Sequence, residues 1–207
     1  MEELLSKSQQ TLPQAFLSRA DKPSLHEPVK LLDARVVPNG PRKHQMAVCV
    51  LRSFLLVDWT SLAQFFEIYR AQGVTKFYLY IQSMSPEVDA FLKLYQKSDD
   101  LDLELISWGP LPKTASTSEN DPNLQIDRGE LALSMNDCVL RSRGIAKYTI
   151  WSDFDEIVVV LNNLTLFEMI EKQRASSNKS GSYVIPGSFA HYEVIFSHCM
   201  EHIKRSN

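Results

Sequence analysis

The chain has 207 residues, 44% of them hydrophobic and 23% charged, with a formal net charge of −3. Enough apolar surface is present to offset the ordering entropy of one sizeable core, which excludes a wholly disordered chain. A slightly acidic balance excludes nucleic-acid binding driven by a general basic surface.

Five of the ten prolines (Pro13, Pro23, Pro28, Pro38 and Pro41) precede residue 42. Residues 1–44 therefore read as an extended arm, with a short helix over 2–10. The acidic start, Met1-Glu2-Glu3, lacks the basic and apolar regions of a signal peptide, and no run approaches the ~18 apolar residues of a membrane span. Taken alone, the chain reads as soluble.

From residue 45 the texture changes. Met46 to Leu51 is a continuous apolar run that suits a strand buried on both faces. Asp58 or Thr60 caps a predicted helix over 59–72 with the stripe Leu62, Phe65, Phe66 and Tyr69, stopped by Gly73. Residues 74–82 predict a second strand. Ser85-Pro86-Glu87 opens a second helix over 88–97, and 101–108 alternates as a third strand. Residues 109–123 hold three prolines and form a long loop. Asp127 caps a helix running to Arg143, with the stripe Leu131, Met135, Cys138 and Val139. A fourth strand over 146–152, a helix over 164–175 and a short strand at 183–185 complete the pattern. Strands alternating with helices indicate βαβ units: an α/β chain with a mainly parallel sheet and helices on both faces.

The three cysteines, Cys49, Cys138 and Cys199, lie far apart with no CxxC pair, which argues against a zinc ribbon or a disulfide framework.

Ligands of such sheets bind outside the carboxyl ends of the strands. There, 148–152 runs directly into Asp153-Phe154-Asp155-Glu156. Three carboxylates in four residues between apolar runs are costly unless solvated, paired or bound to metal. Mg²⁺ and Mn²⁺ take oxygen ligands and often use one or two carboxylates plus substrate phosphates. If strand geometry continues for two residues, Asp153 and Asp155 point the same way and bracket one cation. A polar strand exit explains the same residues without chemistry. An aspartyl-phosphate phosphohydrolase is a further alternative, although those proteins carry Asp-x-Asp on their first strand. A second Asp-x-Asp, Asp100-Leu101-Asp102, reads as a solvated turn.

In order along the chain stand Asp58-Trp59, Gln72-Gly73-Val74, Phe77-Tyr78-Leu79-Tyr80, Ser107-Trp108, Asn136-Asp137-Cys138-Val139-Leu140-Arg141 and Trp151 to Glu156. This set resembles glycosyltransferase family 92, the DUF23-like domain, over roughly residues 45–190. The resemblance implies a GT-A-like, Rossmann-type fold and transfer of a hexose, typically galactose from UDP-galactose, onto a glycan acceptor. It implies that Asp153 and Asp155 serve the metal (Mn²⁺ or Mg²⁺) and the nucleotide sugar, and that members reside in the Golgi or secretory lumen behind a membrane anchor. A non-catalytic module binding a UDP-sugar or carbohydrate is the alternative.

Asn136 and Asp137 stand within plausible reach of the donor; the alternative for Asp137 is an ion pair with Arg141 one turn on. Trp108 is a candidate for stacking on a base or sugar, against burial in the core. The family domain normally continues further, so 191–207 reads as a truncated continuation, and no catalytic base is assigned; Glu193 has nothing to position it. Asn163-Leu164-Thr165 and Asn178-Lys179-Ser180 are glycosylation sequons. His198 to His202 matches an H-x-x-E-H string without room for the further ligand such sites need.

Overall fold

The computed structural model describes residues 14–34, 40–111, 121–126, 130–177 and 181–189. The expected helix over 2–10, Asp127, Asn178, Glu193, Cys199 and the His198 to His202 string lie outside the described residues.

The proline-rich arm contains more order than its composition suggests. β1 (Ala15–Arg19) and β2 (Lys22–Val29) pair antiparallel as a two-stranded sheet of their own, with Phe16 meeting His26 edge-on at 5.0 Å. The prolines are accommodated because a two-stranded ribbon is all edge, where a missing N–H is tolerated.

The main sheet is built from β3 (His44–Ser53), β4 (Val74–Ile81), β5 (Asp102–Ser107) and β6 (Ala146–Ser152), ordered β5-β4-β3-β6 with every pair parallel. Between strands lie α1 (Trp59–Ala71), α2 (Pro86–Tyr95) and α3 (Leu131–Ser142), and α4 (Leu166–Ser176) follows β6. Asp58 caps α1, its Oδ1 accepting from the Thr60 and Ser61 amides at 2.9 and 3.1 Å. Gly73, at φ +96°, turns the chain out of α1 into β4, a conformation that favours glycine. Ser85 caps α2 with Pro86 in its first turn, and Thr165 with Glu168 forms a reciprocal capping box on α4.

The pleat of β3 divides the core. Met46, Val48 and Val50 pack with Leu62, Phe65, Phe66, Tyr69, Val88, Leu92 and Leu166 beneath α1, α2 and α4. Ala47 and Cys49 face the other way, joining Tyr78, Tyr80 and Cys138 beneath α3. This follows from crossover handedness. The chain moves one way through β3, β4 and β5, then returns past them to β6, so a right-handed return puts α3 on the opposite face.

Several expectations are corrected. Residues 183–185 form no strand. α3 begins at Leu131, and its buried residues are Ser134, Cys138 and Ser142, with Val139 exposed. Small side chains every fourth residue let α3 lie close on the sheet, which brings Cys138 onto Cys49. The two form a disulfide, Cα atoms 6.2 Å apart across 89 residues of sequence. The sequence reading missed it because the partners meet only through the return crossover. Asp102 is no solvated turn residue; it lies in β5 and pairs with Lys43 and Lys76, each at 2.7 Å. Among the described residues, no helix is long and apolar enough to cross a membrane.

Candidate active site

The strand order reverses between β3 and β6, and the crevice at such a reversal is where open parallel sheets bind ligands. The acidic segment leaves β6 at that position. Ser152, the last residue of β6, is buried, and its Oγ lies 2.8 Å from the hydroxyl of Tyr69 in α1. The same Oγ donates to the Glu156 carbonyl at 2.8 Å, while the Glu156 amide donates to the Asp153 carbonyl at 3.1 Å. These bonds close 153–156 into a turn. Strand geometry therefore stops at Ser152, so the condition under which Asp153 and Asp155 would point the same way along a strand is not met. The turn drives Phe154 into the core, 5.4 Å from Phe65, and leaves Asp153, Asp155 and Glu156 exposed.

None of these three carboxylates is ion-paired to a lysine or arginine among the described residues. Partial burial pushes the Asp153 carboxyl above its ordinary value, and the charges of Glu156 and Asp155 push it further the same way. Negative charge is thus concentrated at the rim, without an ion-pair partner among the described residues. Among the described residues, no group of three or more His, Cys, Asp or Glu side chains forms a closed cage for a metal. The set fits a hard cation that takes one or two protein carboxylates and completes its shell with phosphate and water.

Asp137 and Asn136 are placed differently. Asp137 accepts from Tyr80 Oη at 2.7 Å and pairs with Arg141 Nε at 2.5 Å. Arg141 reaches on to Glu104 at 2.9 Å, and Lys76 ties Glu104 to Asp102. Its carboxylate is therefore engaged in a ladder of charges across the α3 face of the sheet. Asn136 is exposed on the helix beside it. Trp108 follows β5 with its ring edge-on to Tyr80 at 5.1 Å, and its indole N–H is buried without a partner among the described residues. At the spacing of adjacent strands it stands roughly 14 Å across the sheet from the β6 exit. Trp108 and Asp137 both meet Tyr80, the one edge-on and the other through the tyrosine hydroxyl.

The sequence reading missed Tyr69 and Ser152 as supports of the turn. A buried tyrosine in an apolar stripe, which usually finds a partner for its hydroxyl, was the available signal.

The family model for Glycosyltransferase family 92 matches residues 44–204. The chain belongs to glycosyltransferase family 92. The beta-1,4-galactosyltransferase galt-1 of Caenorhabditis elegans is 32% identical over 145 residues, covering 68% of this chain and 32% of that protein. The family 92 chain therefore spans about a third of the length of this relative. No solved structure matches it. The match begins at the first residue of β3, so the hairpin lies before it, and the parallel sheet with helices on both faces is the GT-A-like core of the family 92 domain.

Proposed function

We propose that this domain binds a UDP-sugar as its complex with Mn²⁺ or Mg²⁺ and transfers the hexose, galactose, to a glycan acceptor. The observation that carries the reading is the Asp153, Asp155 and Glu156 turn, unpaired among the described residues, at the point where the strand order reverses. Asp153 and Asp155 are the residues to hold the cation. When bound, the cation supplies charge neutralisation to the diphosphate as the sugar departs. The chain's own part is to hold the two carboxylates at the rim through the Tyr69–Ser152–Glu156 bonds and the Phe154 anchor. Trp108, across the sheet from the β6 exit, is assigned to the base or sugar end of the donor. Galactose is preferred because the similar worm protein is named a beta-1,4-galactosyltransferase. A secretory lumen, the Golgi among its compartments, is the proposed location; the Cys49–Cys138 disulfide supports it, since such bonds persist in oxidising compartments.

The test is calorimetric titration of UDP with Mn²⁺ present and then chelated, followed by transfer from UDP-galactose to glycan acceptors. Metal-dependent binding that Asp155→Asn abolishes, with thermal melting unchanged, is the expected result. Binding without transfer leaves a carbohydrate or nucleotide-sugar binding module. Absence of any UDP affinity removes both readings, and phosphatase activity from an aspartyl-phosphate would replace them.

A further inference from the structure

A basic residue stands at the same end of the sheet, on the strand next to β6. β3 and β6 are in register with Val50 opposite Ser152, so Arg52 and Asp153 leave neighbouring strands at the same edge of the sheet. Arg52 is half-buried, and its guanidinium lies 5.5 Å over the ring of the exposed Phe54. Among the described residues it has no carboxylate within ion-pair distance, although three unpaired carboxylates follow the adjacent strand. A half-buried arginine without a counter-charge among the described residues is unusual, because an arginine usually comes off the surface with a partner.

The chain beyond it is held firmly. Leu55 has φ +51°, a conformation that is strained for a branched side chain, and persists because its surroundings hold it. Its amide donates to Ser83 Oγ at 2.8 Å, and the Leu56 amide donates to the Ser83 carbonyl at 3.1 Å. The Leu56 carbonyl in turn accepts from Ser85 at 2.8 Å. The exit of β3 is thereby clamped to the exit of β4, and Arg52 and Phe54 sit on a fixed platform. Among the described residues, one end of the sheet thus holds charge of both signs on neighbouring strands, with no ion pair joining Arg52 to the three carboxylates. A ligand that is itself an anion carrying a cation satisfies both.

We infer that Arg52 is a phosphate-binding residue, its guanidinium taking oxygens of the donor's diphosphate from the β3 side of the crevice, with Phe54 as its stacking support. This rests on the donor reading above. A planar guanidinium suits two phosphate oxygens at once, as an ammonium does not.

The experiment titrates the full chain with UDP and with inorganic pyrophosphate, each with Mn²⁺. Arg52→Gln is expected to weaken both by about 10- to 100-fold, the range of charge-assisted hydrogen bonds, with Arg52→Lys between it and the parent. Equal affinity of Arg52→Gln and parent for UDP overturns the inference while leaving the donor reading intact. Weakened UDP with unchanged pyrophosphate moves Arg52 onto the base and overturns it also. If the parent binds no UDP, the donor reading falls and takes this inference with it. Should Arg52→Gln fail to fold, phenylglyoxal labelling of the parent decides: saturating UDP and Mn²⁺ shield Arg52 if it holds phosphate, and undiminished labelling excludes it.

Discussion

The hydroxyls of Tyr69 and Ser152 meet at 2.8 Å in the core, joining α1 to the last residue of β6 across 83 positions of sequence. Ser152 passes the contact on to the Glu156 carbonyl, so the acidic turn is fastened to the middle of the fold by one buried hydroxyl chain. Tyr69→Phe deletes the first link while conserving shape. The expected outcome is a loss of about 1 kcal/mol in urea unfolding, the usual net worth of one hydrogen bond. A several-fold weaker Mn²⁺-dependent affinity for UDP should accompany it. Wild-type affinity at reduced stability would separate the turn's geometry from Tyr69.

Asp153 trades stability for charge. Burial, then Glu156 and then Asp155, raise its folded-state pKa, so the folded protein holds that proton more tightly than the unfolded chain. The linked stability is complete below the ordinary aspartate range and is lost as pH rises through the raised value. Asp153→Asn is therefore expected to melt higher than the parent at pH 7, with the difference vanishing near pH 3, while UDP binding with Mn²⁺ is lost. Thermal melts across that range check the sign. A variant that melts lower at pH 7 would show that the carboxylate is compensated.

The ladder Asp137–Arg141–Glu104–Lys76–Asp102 gives Asp137 a structural part. Asp137→Asn weakens the pair with Arg141 and is expected to cost about 1 kcal/mol, in the range of a partly exposed ion pair with a hydrogen bond. UDP affinity should stay at the parent value. A large fall in affinity without a fall in stability would move Asp137 into the donor site. At the far end of the ladder, burial raises the Asp102 carboxyl, but hydrogen bonds from Lys43 and Lys76 and their charges outweigh it and bring it to about 2. Its stabilisation is present above the ordinary aspartate value and disappears as pH falls towards 2. In Lys76→Met, acid unfolding should lose part of that component, with Lys43 retaining the rest.

The Cys49–Cys138 bond closes a loop across the central strand and the return helix. Replacing both by alanine is expected to lower stability by about 2–4 kcal/mol, as for long closed loops. Denaturation with and without reductant measures it. A parent indifferent to reductant after full thiol exposure would mean that the bond adds nothing.

Much of the parallel sheet was legible because its strands are buried on both faces and therefore read as continuous apolar runs. β6 was foreseen at its observed bounds, and the Asp58 and Ser85 caps stand where short polar residues precede periodic apolar ones. The hairpin was hidden by prolines that normally signal extended chain. The stripe of α3 was misread because hydrophobic periodicity looks for large residues, whereas that helix buries two serines and a cysteine.

The candidate site divides the same way. Residue type and local order alone mark Asp153 and Asp155 as carboxylates at a strand exit, since the cost of clustered charge between apolar runs is a local property. Which charges remain uncompensated is not local. Asp137 was equally acidic in sequence, and its pair with Arg141 one turn on was one of the two readings open there; the crossover adds the Tyr80 hydroxyl to it, while strand register sets Arg52 beside the β6 exit with no counter-ion among the described residues. The Tyr80 contact depends on a few ångströms between segments 57 residues apart. The sequence by itself therefore determined the layers, the strand exits and the kinds of charge present; the tertiary structure decided how Asp102 is paired and that Asp153, Asp155 and Glu156 have no ion-pair partner among the described residues.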